Sequence, residues 1–106
     1  LVDWPYSDRT GSKLRPAIVI QTDILNGLLD DTILVQVTSK AHGMPGTEVT
    51  LDPSIETASG LLHMSYAFCP NVLTVDESLV DQVIGYLSAD AIARIDECLK
   101  ATLSMT

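Results

Sequence analysis

Two dense runs of aliphatic and β-branched residues constrain this chain most strongly. They occupy residues 15–21 and 32–38, and they are separated by a polar stretch that contains Asn26-Gly27. β-branched residues favour extended backbone, and runs that are apolar at nearly every position are typical of strands covered on both faces. The sequence therefore predicts two buried strands that neighbour each other, joined by a loop with one helical turn.

The remaining pattern predicts short strands followed by one helix. We expect strands at residues 1–4, 47–51, 61–69 and 83–87, with residues 72–75 continuing the third one beyond Pro70. Ser88 is a suitable helix N-cap, and Ile92, Ile95, Leu99 and Leu103 then recur at the spacing of one helix face. At 106 residues the chain fits one domain, residues 1–106. The expected fold class is α+β, a strongly curved antiparallel sheet with a C-terminal helix.

Charge and hydropathy exclude some classes of protein. The formal net charge is −8, which argues against a general affinity for nucleic acid because phosphate neutralisation dominates such binding. Four of the six basic residues lie within the first 40 positions, which indicates a mildly basic edge, although scattered cations that only solvate the surface would give the same count. No apolar run approaches the ~20 residues that span a bilayer, and no signal-peptide pattern is visible, so a cytoplasmic protein without membrane association is expected.

The two cysteines do not indicate a metal site. Cys69 and Cys98 have a spacing that fits no zinc motif. Buried free thiols are the expected state, because free cysteine behaves as a small apolar side chain; a disulfide is the alternative. We expect neither a metal nor another cofactor.

Three residues beside the two long runs carry possible anion-binding chemistry. Arg15 precedes Pro16, which favours an extended backbone at the strand entrance, and its guanidinium can grip a phosphate with two hydrogen bonds. Thr38 and Ser39 follow the second run, where their hydroxyls can bind a phosphate or a ribose. The alternatives are a salt bridge for Arg15 and local turn capping for the two hydroxyls.

Other polar and aromatic residues are weaker candidates. His42 lies in the loop after Ser39 and can reach the same site, whereas His63 is expected at a surface or interface. Trp4 and Tyr6 flank a polar loop at residues 7–13, where they can stack on a base or fill the core.

The chain resembles the MazF/PemK toxins of bacterial toxin–antitoxin systems. The resemblance is carried by residues 3–7 (DWPYS), 11–21 (GSKLRPAIVIQ) and 34–39 (LVQVTS). It continues more weakly through residues 59–61 (SGL), 73–76 (LTVD) and 84–88 (IGYLS) and the terminal helix, so it covers nearly the whole chain.

The resemblance implies both a fold and an activity. The implied fold is an SH3-like barrel related to the CcdB gyrase poisons, assembled as a homodimer and neutralised by a cognate antitoxin. The implied activity is metal-independent, sequence-specific cleavage of single-stranded mRNA, in which the ribose 2′-hydroxyl attacks the adjacent phosphate and leaves a 2′,3′-cyclic phosphate.

The resemblance also implies site residues. Arg15 and Thr38 would be catalytic, and the loop at residues 7–13 would cover the RNA and be displaced by antitoxin. The residues expected to bind RNA are Ser39, Lys13, Arg9, Ser12, Lys40 and His42.

The chain departs from the family pattern in one strand. Relatives usually carry polar or charged residues before the position of Thr74, where this chain has Pro70, Asn71 and Leu73. Two alternatives to a nuclease therefore stay open. One is a catalytically weakened member that acts as an antitoxin- or protein-binding module, and the other is a CcdB-like gyrase inhibitor.

Overall fold

Strands and two α-helices make up the part of the chain that the computed structural model describes, residues 2–5, 12–41, 43 and 46–104. Side chains are described from Arg15 onward, apart from Asp23. The strands are β1 (Val2–Pro5), β2 (Ser12–Arg15), β3 (Ala17–Val19), β4 (Asp31–Thr38), β5 (Glu48–Leu51) and β6 (Ser65–Asp76). The helices are α1 (Asp23–Asn26), a 3-10 turn at Glu77–Leu79 and α2 (Ala89–Thr102).

All strand pairing is antiparallel and falls into two groups. β3, β4, β6 and β5 form a four-stranded sheet in that order, and β1 pairs with β2. α2 packs against β5 and β6, and the described fold is a half-barrel of antiparallel strands with a C-terminal helix. The predicted fold class and the neighbouring arrangement of the two predicted strands are therefore confirmed. The first strand is shorter and less buried than predicted: β3 has no buried residue, and Val19 is 47% exposed.

The main core lies between the sheet and α2. Alternate residues of β4, β5 and β6 point to the helix, as the two-residue period of a strand requires. The buried residues of this core are Val35, Val37, Val49, Leu51, Ala67, Cys69, Ala91, Ile95 and Cys98. Both cysteines are free and buried, as predicted, and burial raises the pKa of the Cys69 thiol to about 12, with a further contribution from the adjacent Cys98.

α2 begins where it was predicted to begin, but its buried face is rotated. The Ser88 hydroxyl accepts a hydrogen bond from the Ala91 N–H at 3.1 Å, which caps the helix. The buried positions are Ala91, Ile95 and Cys98, whereas two members of the predicted stripe, Ile92 and Leu103, are 48% and 58% exposed. Two of the three buried positions, Ala91 and Cys98, are small residues. The spacing of the large apolar residues alone did not indicate that these small residues face the sheet.

The bulged continuation expected beyond Pro70 is present: β6 runs through Pro70 and is 12 residues long, because an irregularity in the strand absorbs the missing N–H. It begins at Ser65, later than the predicted start at residue 61. The strand predicted at residues 83–87 was wrong: this segment pairs with no strand, and its Tyr86 N–H donates to the Ala58 carbonyl at 2.8 Å. Residues 12 and 13, which were assigned to a loop, belong to β2.

Candidate functional site

The register of β3 against β4 aligns Arg15 with Thr38. Ala17 is opposite Gln36, and the next backbone bond, from the Val37 N–H to the Pro16 carbonyl at 3.4 Å, continues that pairing toward the open end of the strands. Extending that register by one residue would place Arg15 opposite Thr38. Residues directly opposite in antiparallel strands share a face. The register therefore puts the predicted cation and hydroxyl on one side of the sheet, the side away from α2.

Two aromatic side chains lie on the same face. β6 places Tyr66 opposite Thr38 and Phe68 opposite Gln36, and β5 completes these rows with Thr50 and Glu48. We call this surface the polar face. Its side chains are Arg15, Gln36, Thr38, Glu48, Thr50, Tyr66 and Phe68. All of these except the exposed Thr50 are half-buried, so the face presents a cation, a carboxylate, hydroxyls, an amide and two rings at partial solvent access.

Thr38 also serves the turn that follows β4. Its hydroxyl oxygen accepts a hydrogen bond from the Lys40 N–H at 3.2 Å, which is the local capping that the sequence left open. Because a hydroxyl both accepts and donates, its hydrogen is still able to bond a ligand oxygen. Ser39 and Lys40 are exposed just beyond the end of the strand.

A bulge in β6 brings a further amide to this face. Val72 is opposite Val35 and Phe68 is opposite Gln36, so three residues of β6 fall where β4 has none. The Asn71 amide then donates a hydrogen bond from Nδ2 to Oε1 of Gln36 at 2.7 Å. The departure at residues 70–73 therefore does not strip this region of polar groups.

Six residues of this arrangement were not predicted from the sequence: Gln36, Glu48, Thr50, Tyr66, Phe68 and Asn71. Tyr66 and Phe68 had a readable signal, because they alternate with the small residues Ser65, Ala67 and Cys69 and must share one face of a strand. Gln36 lies inside the run at residues 32–38, whose apolar composition predicts burial on both faces. Nothing local indicates that Asn71 contacts a residue 35 positions away.

Several predicted residues are not described. Arg9 and His42 lie outside the described residues, as does most of the loop at residues 7–13. For Ser12 and Lys13 the backbone alone is described, within β2. Their role in binding RNA stays a prediction. His63 is exposed and lies between strands, as expected of a surface residue.

Neither a membrane-spanning helix nor a cluster of metal ligands occurs among the described residues. No helix among them is long and apolar enough to cross a membrane. Within the same residues no group of three or more histidine, cysteine or acidic side chains is placed to hold a metal ion.

The fold is that of MazF-type toxins. A Mycobacterium tuberculosis toxin, MazF-mt6, superposes with a TM-score of 0.78 at 21% identity, over 99% of this chain and 97% of that one. MazF from Deinococcus radiodurans gives a TM-score of 0.74 at 26% identity, over 99% and 93%. An endoribonuclease of mycobacterial species, solved in complex with its cognate antitoxin, gives 0.76 at 18% identity, over 92% and 85%.

A family model establishes the relationship at the level of sequence. The model of the PemK-like, MazF-like toxins of type II toxin–antitoxin systems matches residues 1–103. The chain therefore belongs to this toxin family, as the resemblance in the sequence indicated. No curated protein sequence matches it significantly.

Proposed function

We propose that this protein is an endoribonuclease toxin that cleaves single-stranded mRNA in the cytoplasm without a metal ion. The observation that carries the proposal is the alignment of Arg15 with Thr38 on the polar face. Membership of a toxin family supports it, and one solved structure of the same fold is an endoribonuclease held by its antitoxin.

The proposed mechanism uses the RNA itself as the nucleophile. The 2′-hydroxyl gives its proton to solvent and its oxygen forms a bond to the adjacent phosphorus. The bond from phosphorus to the 5′-oxygen breaks and that oxygen takes up a proton, so a 2′,3′-cyclic phosphate and a 5′-hydroxyl result. Negative charge grows on the phosphoryl oxygens during this step, and preorganised donors stabilise it. Arg15 would hold that charge or protonate the leaving oxygen, and the Thr38 hydroxyl would donate a second hydrogen bond. Because the nucleophile is internal, no metal-bound water is required.

The polar face also suits single-stranded RNA as the substrate. Unpaired bases are recognised by stacking on aromatic rings and by hydrogen bonds to their edges. Tyr66 and Phe68 supply half-buried rings, and Gln36 supplies an amide between them and β3. With a net charge of −8, the protein would rely on these contacts more than on general attraction to phosphates.

Two protein partners belong to the proposal. A cognate antitoxin would block the polar face and displace the loop at residues 7–13. A second copy of the chain would form a homodimer, and exposed aliphatic side chains that favour an interface occur on α1 and the turn after it: Ile24, Leu25, Leu28 and Leu29. Sedimentation of the purified toxin should give twice the mass of one chain.

The test is cleavage of a fluorogenic single-stranded RNA pool by purified protein. Arg15→Ala should lower the rate about 10²–10³-fold, the usual cost of removing one such donor. Arg94→Ala is the matched control, because that arginine is exposed on α2 and pairs with Asp90; it should cleave like the parent. Mass spectrometry of the products should find the cyclic phosphate, and excess EDTA should not reduce the rate.

Other results would redirect the assignment. Equal cleavage by Arg15→Ala and the parent would remove Arg15 from the mechanism, and loss of activity on chelation would refute metal independence. A parent protein that leaves every RNA intact would favour one of the two binding alternatives. Inhibition in a gyrase supercoiling assay would then identify the CcdB-like one.

A further inference from the structure

The bulge in β6 holds one amide side chain against another. Residues 69–71 have no counterpart on β4, and the Cys69 N–H donates instead to the Thr47 carbonyl at 2.9 Å. Pro70, which has no N–H to satisfy, is the exposed residue of the three. Neither Cys69 nor Pro70 is therefore left with an unpaired N–H, and the bulge brings the Asn71 side chain to Gln36.

The bond between the two amides has a defined direction. Asn71 donates through Nδ2 and Gln36 accepts through Oε1 at 2.7 Å. Each amide still has a polar atom to offer, the Oδ1 acceptor of Asn71 and the Nε2 donor of Gln36. In the described part of the chain no other side-chain hydrogen bond engages either amide. The pair thus presents an acceptor and a donor side by side.

Nucleobase edges display the complementary pattern. Asn and Gln amides are the side chains that read an adjacent donor and acceptor on a base, and unpaired RNA bases are read in this way on their exposed edges. Phe68 stands opposite Gln36 on the same face, where its ring can stack on the base whose edge meets the amides.

The pair lies next to the proposed reaction centre. Gln36 is two residues before Thr38 on β4, which corresponds to about 7 Å along a strand, and both side chains are on the polar face. A base held by the amides would therefore belong to a nucleotide beside the scissile phosphate.

We infer that the Gln36–Asn71 amide pair reads one base of the substrate RNA and so sets part of the sequence that is cut. The inference rests on the proposed ribonuclease function for its substrate. It assigns recognition, and not catalysis, to the two amides.

The test compares cleavage motifs. A random-sequence RNA pool is cut briefly by each variant, and the new 5′ ends are mapped. Asn71→Ala and Gln36→Ala should each weaken the preference at one and the same position by about tenfold or more, and leave the other positions unchanged. The double exchange Gln36→Asn with Asn71→Gln keeps both amides and the overall length of the pair, so it should restore most of that preference.

A control variant in the same bulge distinguishes base recognition by the two amides from a purely structural role of the bulge. Pro70→Ala changes the backbone stiffness of the bulge but removes no group that can read a base, so its motif should match that of the parent. Thermal melts of all variants verify folding. If Asn71→Ala and Gln36→Ala lower stability or rate but keep the motif of the parent, the inference is overturned.

A binding experiment tests base recognition independently of RNA cleavage. The same variants are used to select from a pool with 2′-deoxy nucleotides, which cannot undergo 2′-hydroxyl attack. A parent that cuts nothing but selects a base through Asn71 would refute the proposed nuclease and support the amide pair. A parent that cuts RNA at a motif that neither amide substitution changes would support the proposed nuclease and overturn the role of the amide pair. A parent that selects no base in either assay would also overturn the inference.

Discussion

The junction between Glu56 and Ser88 is a point where we expect one polar substitution to cost substantial stability. The Glu56 carboxylate is 4% exposed, and it accepts hydrogen bonds from the Ser88 N–H at 2.7 Å and from the Ser88 hydroxyl at 2.9 Å. A hydrogen bond to a charged group stabilises a fold by about 1.5–3 kcal/mol. Ser88 itself is exposed, so the lower value applies to each bond, and Glu56→Ala should reduce the free energy of unfolding by about 3 kcal/mol.

A double-mutant cycle makes this reasoning quantitative. Ser88→Ala removes one of the two bonds and also the cap of α2, for a loss of about 1.5 plus about 1 kcal/mol. The double mutant Glu56→Ala/Ser88→Ala should lose about 4 kcal/mol, less than the sum of the single losses, because the bond from hydroxyl to carboxylate is removed in both. The coupling energy between the two side chains should therefore be about 1.5 kcal/mol.

Urea denaturation followed by far-ultraviolet circular dichroism measures all four proteins. The matched control is Glu97→Ala, which removes an exposed carboxylate that pairs with Lys100 on the surface and should cost less than about 0.5 kcal/mol. The reasoning is refuted if Glu56→Ala costs no more than Glu97→Ala, or if the single losses add up fully in the double mutant.

Two further predictions concern a close contact and an acid transition. A Cβ at Gly85 would collide with the carbonyl of Ala58, so Gly85→Ala should destabilise by more than about 3 kcal/mol; Gly43→Ala, at φ 71° with open space around it, should cost only about 1–2 kcal/mol of backbone strain in the same denaturation assay. The Ser78 N–H lowers the pKa of the Asp76 carboxyl below its ordinary 3.8, and the Ser78 side chain adds to this. Because the Asp76 pKa is lower in the folded state, this carboxylate stabilises the fold at pH values above 3.8, and the stabilisation is lost as the pH falls through the folded-state pKa. The melting temperature of Asp76→Asn should therefore fall less than that of the parent between about pH 5 and pH 2.

Much of the fold follows from local patterns. The run at residues 32–38 is apolar enough to be buried on both faces, and it became the central strand β4. Ser88 offered a hydroxyl before a helical stretch and became its cap. The pattern misled at residues 83–87, where the backbone of the segment lies against the loop at residues 58–59 and Val83 and Tyr86 are 70% and 76% exposed. Strand pairing depends on a partner that the sequence does not reveal.

The candidate site was predictable only in part, for a related reason. Arg15 and Thr38 could be paired because β3 and β4 are consecutive strands, joined through α1, that were expected to be neighbours. The contact between Gln36 and Asn71 depends on a bulge between strands that are distant in sequence. Pro70 looked like a strand breaker because a proline cannot donate to a regular ladder, and whether a bulge accommodates it is decided by the tertiary fold.

The alternation along β6 separates what keeps the protein folded from what faces outward. Ala67 and Cys69 point into the core, while Tyr66 and Phe68 between them lie on the polar face. An exchange at an outward position changes the chemistry offered to solvent and leaves no void against α2. Single substitutions at the outward positions of this strand can thus change the surface while each variant stays folded. A laboratory library restricted to these positions should therefore remain mostly folded.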